Sequence, residues 1–405
     1  MQYRVDKFGN RLSALGFGCM RFPRTPRKKI DMARSEAMIL DAVSRGVNYY
    51  DTAYVYPGSE EALGEIIHKN GLRDKVYIAT KMPLFMCKSR ADFDKFFETS
   101  LKRLKTDYID YYLMHMITTP EQWKSLCDLG MEEWIGEKRA QGSIRQLGFS
   151  FHGKRDDFVK IVDARDWDFT MIQYNYLDIN NQAGITGLKH AASKGIPVMV
   201  MEPLLGGRLA DEKVMPAKVR GIFREASPAM TPAARALRWL LNQPEVTLAL
   251  SGMSSKRQVD ENIATADSVK SPGSLAKEEL ETIERATAAF NESNRIKCTG
   301  CGYCVPCEVG VNIPDCFSSY NASFTIGRLA AMRKYVMVTA ALTTKKGLAS
   351  ACDGCGKCEQ LCPQSLSVRE LLRVVRKRLE PVWFGAGVGV VRWFTSVKSK
   401  SNSKS

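Results

Sequence analysis

Eight of the twelve cysteines lie in two short runs whose spacing is suited to binding iron–sulfur clusters. The run at 352–362 reads C-x2-C-x2-C-x3-C followed by proline, the spacing of bacterial ferredoxin motifs for [4Fe–4S] clusters. The run at 298–307 is one residue shorter and lacks the proline. In two-cluster ferredoxins the fourth cysteine of each run ligates the other cluster. We therefore predict two [4Fe–4S] clusters, one on Cys298, Cys301, Cys304 and Cys362, the other on Cys352, Cys355, Cys358 and Cys307.

Two zinc sites are the alternative, because sets of four thiolates also suit tetrahedral zinc. Zinc ribbons usually pair two C-x2-C knuckles about 15–20 residues apart. Here four cysteines crowd each run, which favours clusters. Cys316 is a rival ligand close to the first run, and we leave it out of both sets. The isolated Cys19, Cys87 and Cys127 are interpreted as ordinary buried or loop thiols.

A second group of reactive side chains follows three consecutive β-rich runs early in the chain: Asp51, Tyr56, Lys81 and His115. A phenol has a reference pKa near 10, and a neighbouring ammonium favours its ionised form. We predict carbonyl reduction in which Tyr56 protonates the developing alkoxide, tuned by Lys81, which Asp51 positions. His115 would orient the carbonyl by a hydrogen bond. The hydride must come from a cofactor, because no side chain supplies one.

Each of these residues has an ordinary explanation when taken alone, such as a helix cap, a solvated lysine or a core histidine. The elements around them argue for a site. Eight β-rich runs alternate with helical patterns, at 12–19, 47–51, 76–81, 108–115, 144–150, 169–173, 196–201 and 246–251. This alternation predicts an α/β fold, a (β/α)8 TIM barrel, in which the ends of the strands meet at one mouth. A doubly wound sheet is the runner-up, but no Gly-x-Gly-x-x-Gly follows the first run.

At these residues the sequence resembles the aldo-keto reductase superfamily. The matching segments are LGFGCMRF (15–22), DTAYVY (51–56), ATK (79–81), LMH (113–115), LGFS (147–150), QYNYLD (173–178), EPLLGGRL (202–209) and GMSSKRQVDEN (252–262). The resemblance implies a barrel that binds an extended nicotinamide cofactor at its upper rim. It implies that Ser150 and Gln173 hold the carboxamide. The remaining cofactor residues that it implies are Met20, Gly207, Ser254, Gln258 and Asn262.

Several positions depart from the family pattern. Met201 and Glu202 stand where many members have a tyrosine that stacks on the nicotinamide, and Phe151 replaces the usual asparagine. Members that clamp a 2′-phosphate often carry lysine and arginine where this chain has Gly252 and Gln258, although Lys256 and Arg257 lie nearby. The cofactor is therefore NADP(H) or NAD(H), and a flavin stays open.

Domain boundaries follow from these motifs. We predict a barrel over 1–290, a ferredoxin-type domain over 291–380 that consists of helices and loops, and a basic, partly disordered tail over 381–405. The subgroup of aldo-keto reductases with a C-terminal pair of ferredoxin motifs is the nearest resemblance. An insertion at 203–230 is predicted to be a substrate lid.

Charge and hydropathy limit the partners and the compartment. Of the net charge of +15, +7 lies in residues 366–405, yet no nucleic-acid motif is visible. The basic helix predicted over 367–380 is either a solvated face or a dock for an acidic flavodoxin or ferredoxin. The apolar run 382–391 is too short to span a bilayer, although it could lie on a membrane surface. The N-terminus lacks a signal-peptide core, so we expect a cytoplasmic protein.

The sequence is compatible with three functions. Clusters pass single electrons, whereas nicotinamide passes a hydride, and a flavin normally converts one to the other. The clusters could feed or drain a carbonyl or alcohol reaction at the four polar residues. The barrel could instead be a plain NAD(P)H reductase with structural or sensing clusters. A non-catalytic electron-transfer protein is the third possibility.

Overall fold

The computed structural model describes residues 1–293, 295–324, 327–341, 347–381 and 384. These residues form two compact units. One consists of Met1–Leu204 and Met230–Ile283, and the other of Leu205–Ala229 and the described residues from Glu284 onward. The insertion after the seventh barrel strand therefore groups with the cysteine-rich part of the chain. The domain bounds at 290 and 380 stay a prediction, as does the role of the insertion as a lid.

Ten strands build the first unit. An antiparallel hairpin opens the chain, with β1 Tyr3–Val5 and β2 Arg11–Ser13. Eight parallel strands then close into a barrel in which the last pairs with the first. They are β3 Leu15–Gly18, β4 Tyr49–Asp51, β5 Tyr77–Met82, β6 Ile109–Ile117, β7 Ile144–Phe151, β8 Phe169–Gln173, β9 Val198–Met201 and β10 Val246–Ser251. The predicted TIM barrel is confirmed. The run expected at 12–19 is divided, because residues 12 and 13 belong to the hairpin.

Helices follow the barrel strands. The first unit holds α1 Met32–Ser44, α2 Ser59–Lys69, α3 Arg90–Leu104, α4 Pro120–Asp128, α5 Met131–Ala140, α6 Arg155–Asp163 and α7 Gly184–Ser193. After α8 Ala217–Ala226 of the second unit come α9 Pro232–Leu241, α10 Lys256–Ser268 and α11 Lys277–Ser293, which crosses the unit boundary. Ser89 and Asp92 form a capping box at the start of α3. Asp31 accepts a hydrogen bond from the N–H of Arg34 and caps α1.

Side chains of the hairpin and of the strands fill the lower end of the barrel interior. Leu12 of the hairpin packs with inward-facing residues such as Tyr49 and Tyr111. The Tyr111 hydroxyl donates to Asp6 Oδ2 at 2.6 Å. The other oxygen of Asp6 accepts the N–H groups of Phe8 and Asn10 and so fixes the hairpin turn. This packing leaves the opposite end, where the strands finish, as the open mouth.

The second unit is mainly helical. Its remaining elements are α12 Ile313–Ala322, α13 Arg328–Val336 with a π-helical turn over Met337–Ala341, the short α14 Lys357–Gln360, and α15 Val368–Leu379. Ile313 and Phe317 of α12 share a core with Leu372 and Val375 of α15. The helix expected over 367–380 is thus present. Residues 325–326 and 342–346 lie outside the described residues. So do the apolar run 382–391, apart from residue 384, and the predicted tail, apart from residues 381 and 384.

No helix among the described residues is long and apolar enough to cross a membrane.

Candidate active site and cluster-binding cysteines

Three of the four predicted catalytic side chains come from adjacent strands at the barrel mouth. Asp51 ends β4, Lys81 lies near the end of β5, and His115 lies near the end of β6. They are almost fully buried, with relative exposures of 6%, 2% and 2%. Lys81 Nζ is 2.6 Å from Asp51 Oδ1 and also donates to the carbonyl oxygen of Thr52. Two oxygen atoms therefore hold the Lys81 ammonium in a buried position.

The fourth side chain, Tyr56, comes from the loop that joins β4 to α2. The Tyr56 N–H donates to Ala53 O at 3.0 Å, and Gly58 adopts a φ of 75° to begin α2. A residue with a β-carbon is strained at this φ, so glycine suits the turn. Lys81 Nζ lies 5.2 Å from the centroid of the Tyr56 ring. The ring of His115 meets that of Tyr56 nearly edge-on, with centroids 6.1 Å apart. The structure thus brings all four predicted residues together.

Burial sets the charge states in this site. Burial raises the pKa of Asp51, and the charge and hydrogen bond of Lys81 oppose that rise. Burial also lowers the pKa of His115 well below its usual value, and the charges of Lys81 and His152 lower it further. His115 is therefore a neutral imidazole at neutral pH. Its Nδ1 atom has no hydrogen-bond partner among the described residues. A neutral imidazole can donate a hydrogen bond to a carbonyl without adding a buried charge.

Two predicted cofactor residues lie at the same mouth. The Ser150 hydroxyl oxygen in β7 accepts the N–H of Met116 at 2.9 Å, which leaves the hydroxyl hydrogen available as a donor. Gln173 ends β8, where its amide donates to Asp178 at 3.3 Å and accepts from Gln182 at 3.0 Å. The side-chain amide of Gln173 is therefore oriented by residues of the following loop.

Sequence reasoning missed a second buried histidine near this site. His152 follows β7 directly, and burial lowers its pKa to about 4, although a hydrogen bond with Gln182 opposes the shift. Its Nδ1 atom has no partner among the described residues. The only signal in the sequence is its position two residues after Ser150. A histidine pair at the mouth adds hydrogen-bonding capacity without charge.

The remaining predicted cofactor residues divide between the two units. Ser254 donates through N–H and hydroxyl to Gln258 Oε1, at 2.7 and 3.2 Å. Asn262 is buried and donates to Ser251 at 2.9 Å. Met20 lies in the turn after β3 and is exposed. Gly207 belongs to the second unit, in a turn over Leu205–Gly207 where its φ is 100°.

The two cations near the start of α10 differ in their partners. Lys256 Nζ is 2.5 Å from Asp260 and 3.2 Å from Asp41, so two carboxylates hold it. Arg257 is exposed and forms no ion pair within the described part of the chain. The residue that ends β9 is Met201, followed by Glu202 with a φ of 52°.

Four cysteines from both runs line one cavity in the second unit: Cys298, Cys301, Cys304 and Cys362. Burial raises the pKa of Cys298 to about 11 and that of Cys304 to about 12, and neighbouring cysteines of the same set add to both shifts. Such thiols stay protonated at neutral pH unless a cationic group binds them. Thr299 lines the same cavity, and its buried hydroxyl has no hydrogen-bond partner among the described residues. These residues fit a group that carries positive iron and accepts hydrogen bonds.

The other cysteines form a second set near the surface. Burial raises the pKa of Cys358, and the charges of Glu359, Cys352 and Cys307 add to the shift. Cys307 of the first run is therefore a neighbour of the second run. Cys355 is exposed, and its N–H donates to Asp353 at 3.1 Å. Four thiols of a [4Fe–4S] site each bind a different iron, so they do not converge on one point.

Within the described ranges, no three His, Cys, Asp or Glu side chains are grouped closely enough to hold a single metal ion. Cys316, left out of both sets, lies in the apolar core of the second unit, where its sulfur is 3.9 Å from the Tyr335 hydroxyl. Cys19 is buried in the barrel unit, and burial raises the pKa of its thiol. Cys87 and Cys127 are partly buried there.

Comparison with known families identifies both parts of the chain. Residues 14–286, about two thirds of the sequence, match the family model described as "Aldo/keto reductase family". The chain belongs to the aldo/keto reductase family. Residues 297–366 match the model of a 4Fe-4S dicluster domain. The resemblance drawn from the motifs is thereby confirmed, and the chain is an aldo/keto reductase-type oxidoreductase with an iron–sulfur domain.

Individual relatives match the barrel part. The uncharacterized oxidoreductase YqkF of Bacillus subtilis is 25% identical over 306 residues, which are 68% of this chain and 93% of YqkF. The NADH-specific methylglyoxal reductase of Escherichia coli is 25% identical over 320 residues, 68% of this chain and 96% of that protein. The solved aldo-keto reductase AKR11C1 of Bacillus halodurans, in its holo form, has a TM-score of 0.58 at 25% identity and covers 71% of this chain and 96% of its own.

A structure from Klebsiella pneumoniae shows the same fold. It is an aldo/keto reductase in complex with NADP and acetate, with a TM-score of 0.57 at 24% identity, covering 70% of this chain and 94% of its own.

Proposed function

We propose that the barrel reduces carbonyl compounds, or oxidises the corresponding alcohols, at Asp51, Tyr56, Lys81 and His115. The observation that carries the proposal is the buried contact of 2.6 Å between Lys81 and Asp51, beside the Tyr56 ring and opposite a neutral His115. A bound nicotinamide would supply or accept the hydride. The role of the protein is to hold the carbonyl and to move one proton.

The four side chains have distinct roles in this reaction. The Tyr56 hydroxyl gives its proton to the oxygen that becomes an alkoxide during reduction. Lys81 holds positive charge beside the ring and stabilises the phenolate that remains. Asp51 keeps that ammonium in place through the buried ion pair. His115 donates a hydrogen bond to the carbonyl oxygen and stabilises its growing charge.

The cofactor proposal rests on the two cations at α10. Lys256 is held by two carboxylates, whereas Arg257 has no ion pair within the described residues. Arg257 is thus the cation available to a 2′-phosphate, and we propose NADPH as the preferred cofactor. Relatives carry both forms, since the Klebsiella structure contains NADP and the E. coli reductase is named as NADH-specific. Ser150, Gln173 and the α10 residues would hold the cofactor, and a flavin in their place is not supported by any described contact.

We also propose two [4Fe–4S] clusters with one cysteine exchanged between the runs. The shared cavity of Cys298, Cys301, Cys304 and Cys362 supports the first set. The electrostatic proximity of Cys307 and Cys352 to Cys358 supports the second. Each cluster would carry a single electron. A hydride carries two electrons, so two clusters match its electron count, and a flavin is the group that normally converts a hydride into single electrons.

The exposed face of α15 supports an acidic flavoprotein as an electron partner of the clusters. Arg373, Arg376 and Lys377 are exposed and form no ion pairs with other described residues, while Leu372 and Val375 bury the opposite face. Complementary charge steers association and weakens with salt. We therefore propose that a flavodoxin-like carrier exchanges electrons with the clusters in the cytoplasm. Reversing all three charges should strongly slow the reduction of flavodoxin by the reduced clusters at low salt. The reduction of an aldehyde at the barrel should be unchanged.

The direct test of the barrel chemistry is the Tyr56→Phe variant. General acid catalysis contributes about 10²–10⁴-fold, so NADPH-dependent reduction of 4-nitrobenzaldehyde should fall by that factor. The iron content and the unfolding midpoint should remain those of the wild type. Undiminished turnover in this variant would remove Tyr56 as the acid. An unchanged wild-type rate after removal of iron would favour a plain reductase whose clusters serve another purpose.

A further inference from the structure

Three of the polar contacts made by the insertion at 205–229 link it to α11 and to the first cysteine run. Two of them are exposed ion pairs, Lys218 with Glu292 at 2.8 Å and Arg285 with Glu225 at 2.9 Å. Exposed pairs of this kind contribute about 0–1 kcal/mol. The third is different in kind, because half-buried Arg208 donates from Nη1 to the carbonyl oxygen of Cys298 at 2.8 Å. It ends on the backbone of a proposed cluster ligand.

The backbone around Arg208 is folded into a tight turn. The Arg208 N–H donates to Leu205 O at 3.1 Å, and the N–H groups of Ala210 and Asp211 both donate to Gly207 O at 3.0 Å. The side chain of Leu209 is fully buried. These contacts restrain residues 205–211 and thereby help to hold the side chain of Arg208 in place.

No cation lies among the described residues that line the first cluster site. Beside the four cysteines these residues are neutral, among them Thr299, Ile313 and Phe317. Reduction of a cluster adds one electron and therefore one negative charge. A nearby cation stabilises that added charge, and hydrogen bonds and net charge are known determinants of cluster potentials. Arg208 supplies both a positive charge and a hydrogen bond to a ligand residue.

We propose that Arg208 is a positioning residue that raises the reduction potential of the first cluster. It acts through its charge and through its hydrogen bond to the carbonyl oxygen of Cys298. The inference rests on the proposed binding of a cluster by Cys298, Cys301, Cys304 and Cys362.

The test is a redox titration of the anaerobically purified, iron-replete chain with dithionite as the electron donor, followed by electron paramagnetic resonance. In the Arg208→Met variant we expect one cluster to become about tenfold harder to reduce, which is about 59 mV for a one-electron couple. The other cluster should be unaffected. The matched control is Lys218→Met, which removes a cation from the same insertion and should shift neither cluster. Unchanged potentials in Arg208→Met would overturn the proposal.

A second variant guards against loss of the cluster itself. Arg208→Lys keeps the charge and alters the hydrogen-bond geometry, so it should restore most of the potential if charge is the main cause. If Arg208→Met fails to retain iron, Arg208→Gln, which keeps a hydrogen-bond donor and removes the charge, is titrated instead. A potential equal to that of wild type in this variant would overturn the role of the Arg208 charge.

Discussion

Replacing Lys81 by methionine removes one partner of the buried ion pair on which the proposed site depends. The side chains of Lys81 and Asp51 are 2% and 8% exposed, and their charged atoms are 2.6 Å apart. Methionine keeps most of the volume of lysine but leaves the carboxylate of Asp51 buried without its cation. Breaking a buried pair in this way typically costs about 3–5 kcal/mol. We expect the free energy of unfolding to fall by that amount at pH 8, and carbonyl reduction to be lost.

The loss should depend on pH in a defined direction. Burial already raises the pKa of Asp51, and removing Lys81 removes the charge that opposes this rise. A carboxyl whose folded pKa lies above its unfolded value binds a proton more readily in the folded state, so its stabilising contribution is lost as pH rises. The difference in stability between variant and wild type should therefore be small near pH 5 and large at pH 8.

The assay is urea unfolding of the iron-replete protein, followed by tryptophan fluorescence at both pH values. Lys124→Met is the matched control, since Lys124 and Asp128 form an exposed pair worth less than about 1 kcal/mol. The double variant Asp51→Asn with Lys81→Met leaves no buried charge and should recover much of the stability at pH 8. A loss of stability in Lys81→Met that is no greater than the loss in Lys124→Met, or that does not depend on pH, would contradict a stabilising buried ion pair between Lys81 and Asp51.

Three further predictions concern other parts of the protein. Burial lowers the pKa of His152 to about 4, so its stabilising contribution is present above pH 6.5 and is lost as pH falls toward 4; His152→Gln should therefore lose less stability than wild type between pH 7 and pH 5. Cys362→Ala should lose the same paramagnetic signal as Cys301→Ala and keep the signal that Cys355→Ala removes, and the opposite pattern would contradict the exchanged ligand sets. Arg257→Ala should raise KM for NADPH about tenfold or more with little effect on KM for NADH, as expected for loss of a charge-assisted contact; equal effects on both would exclude a 2′-phosphate contact.

Most strands and helices of the barrel could be predicted from the sequence, because local patterns of residues indicate them. Each of the eight β-rich runs overlaps its strand, and five of them contain it completely. The alternation of strands and helices predicts a parallel arrangement. Once the strands are parallel, Asp51, Lys81 and His115 must share one mouth, because all three lie near strand ends. Tyr56 lies in the loop after β4, so it is expected near the same mouth. The capping box at Ser89 is a similarly local pattern.

Other features could not be predicted, because they arise from contacts between distant segments. The bond of Arg208 to the backbone of Cys298 joins positions 90 residues apart, and it is part of the reason that residues 205–229 group with the cysteine-rich unit. No local pattern of charge or hydropathy marks such a contact. The sequence also gives little sign that burial keeps His152 neutral. This depends on how strands and loops pack at the mouth.

We propose that the four residues at the barrel mouth reduce a carbonyl with a hydride from nicotinamide. The most direct test is transfer of deuterium from 4-deuterated NADPH to 4-nitrobenzaldehyde, with the product alcohol analysed by mass spectrometry for wild type and Tyr56→Phe. We predict one deuterium on the carbinol carbon of the wild-type product and a loss of product of about 10²-fold or more in the variant. Product without deuterium, or equal product from both proteins, would contradict the proposed reaction.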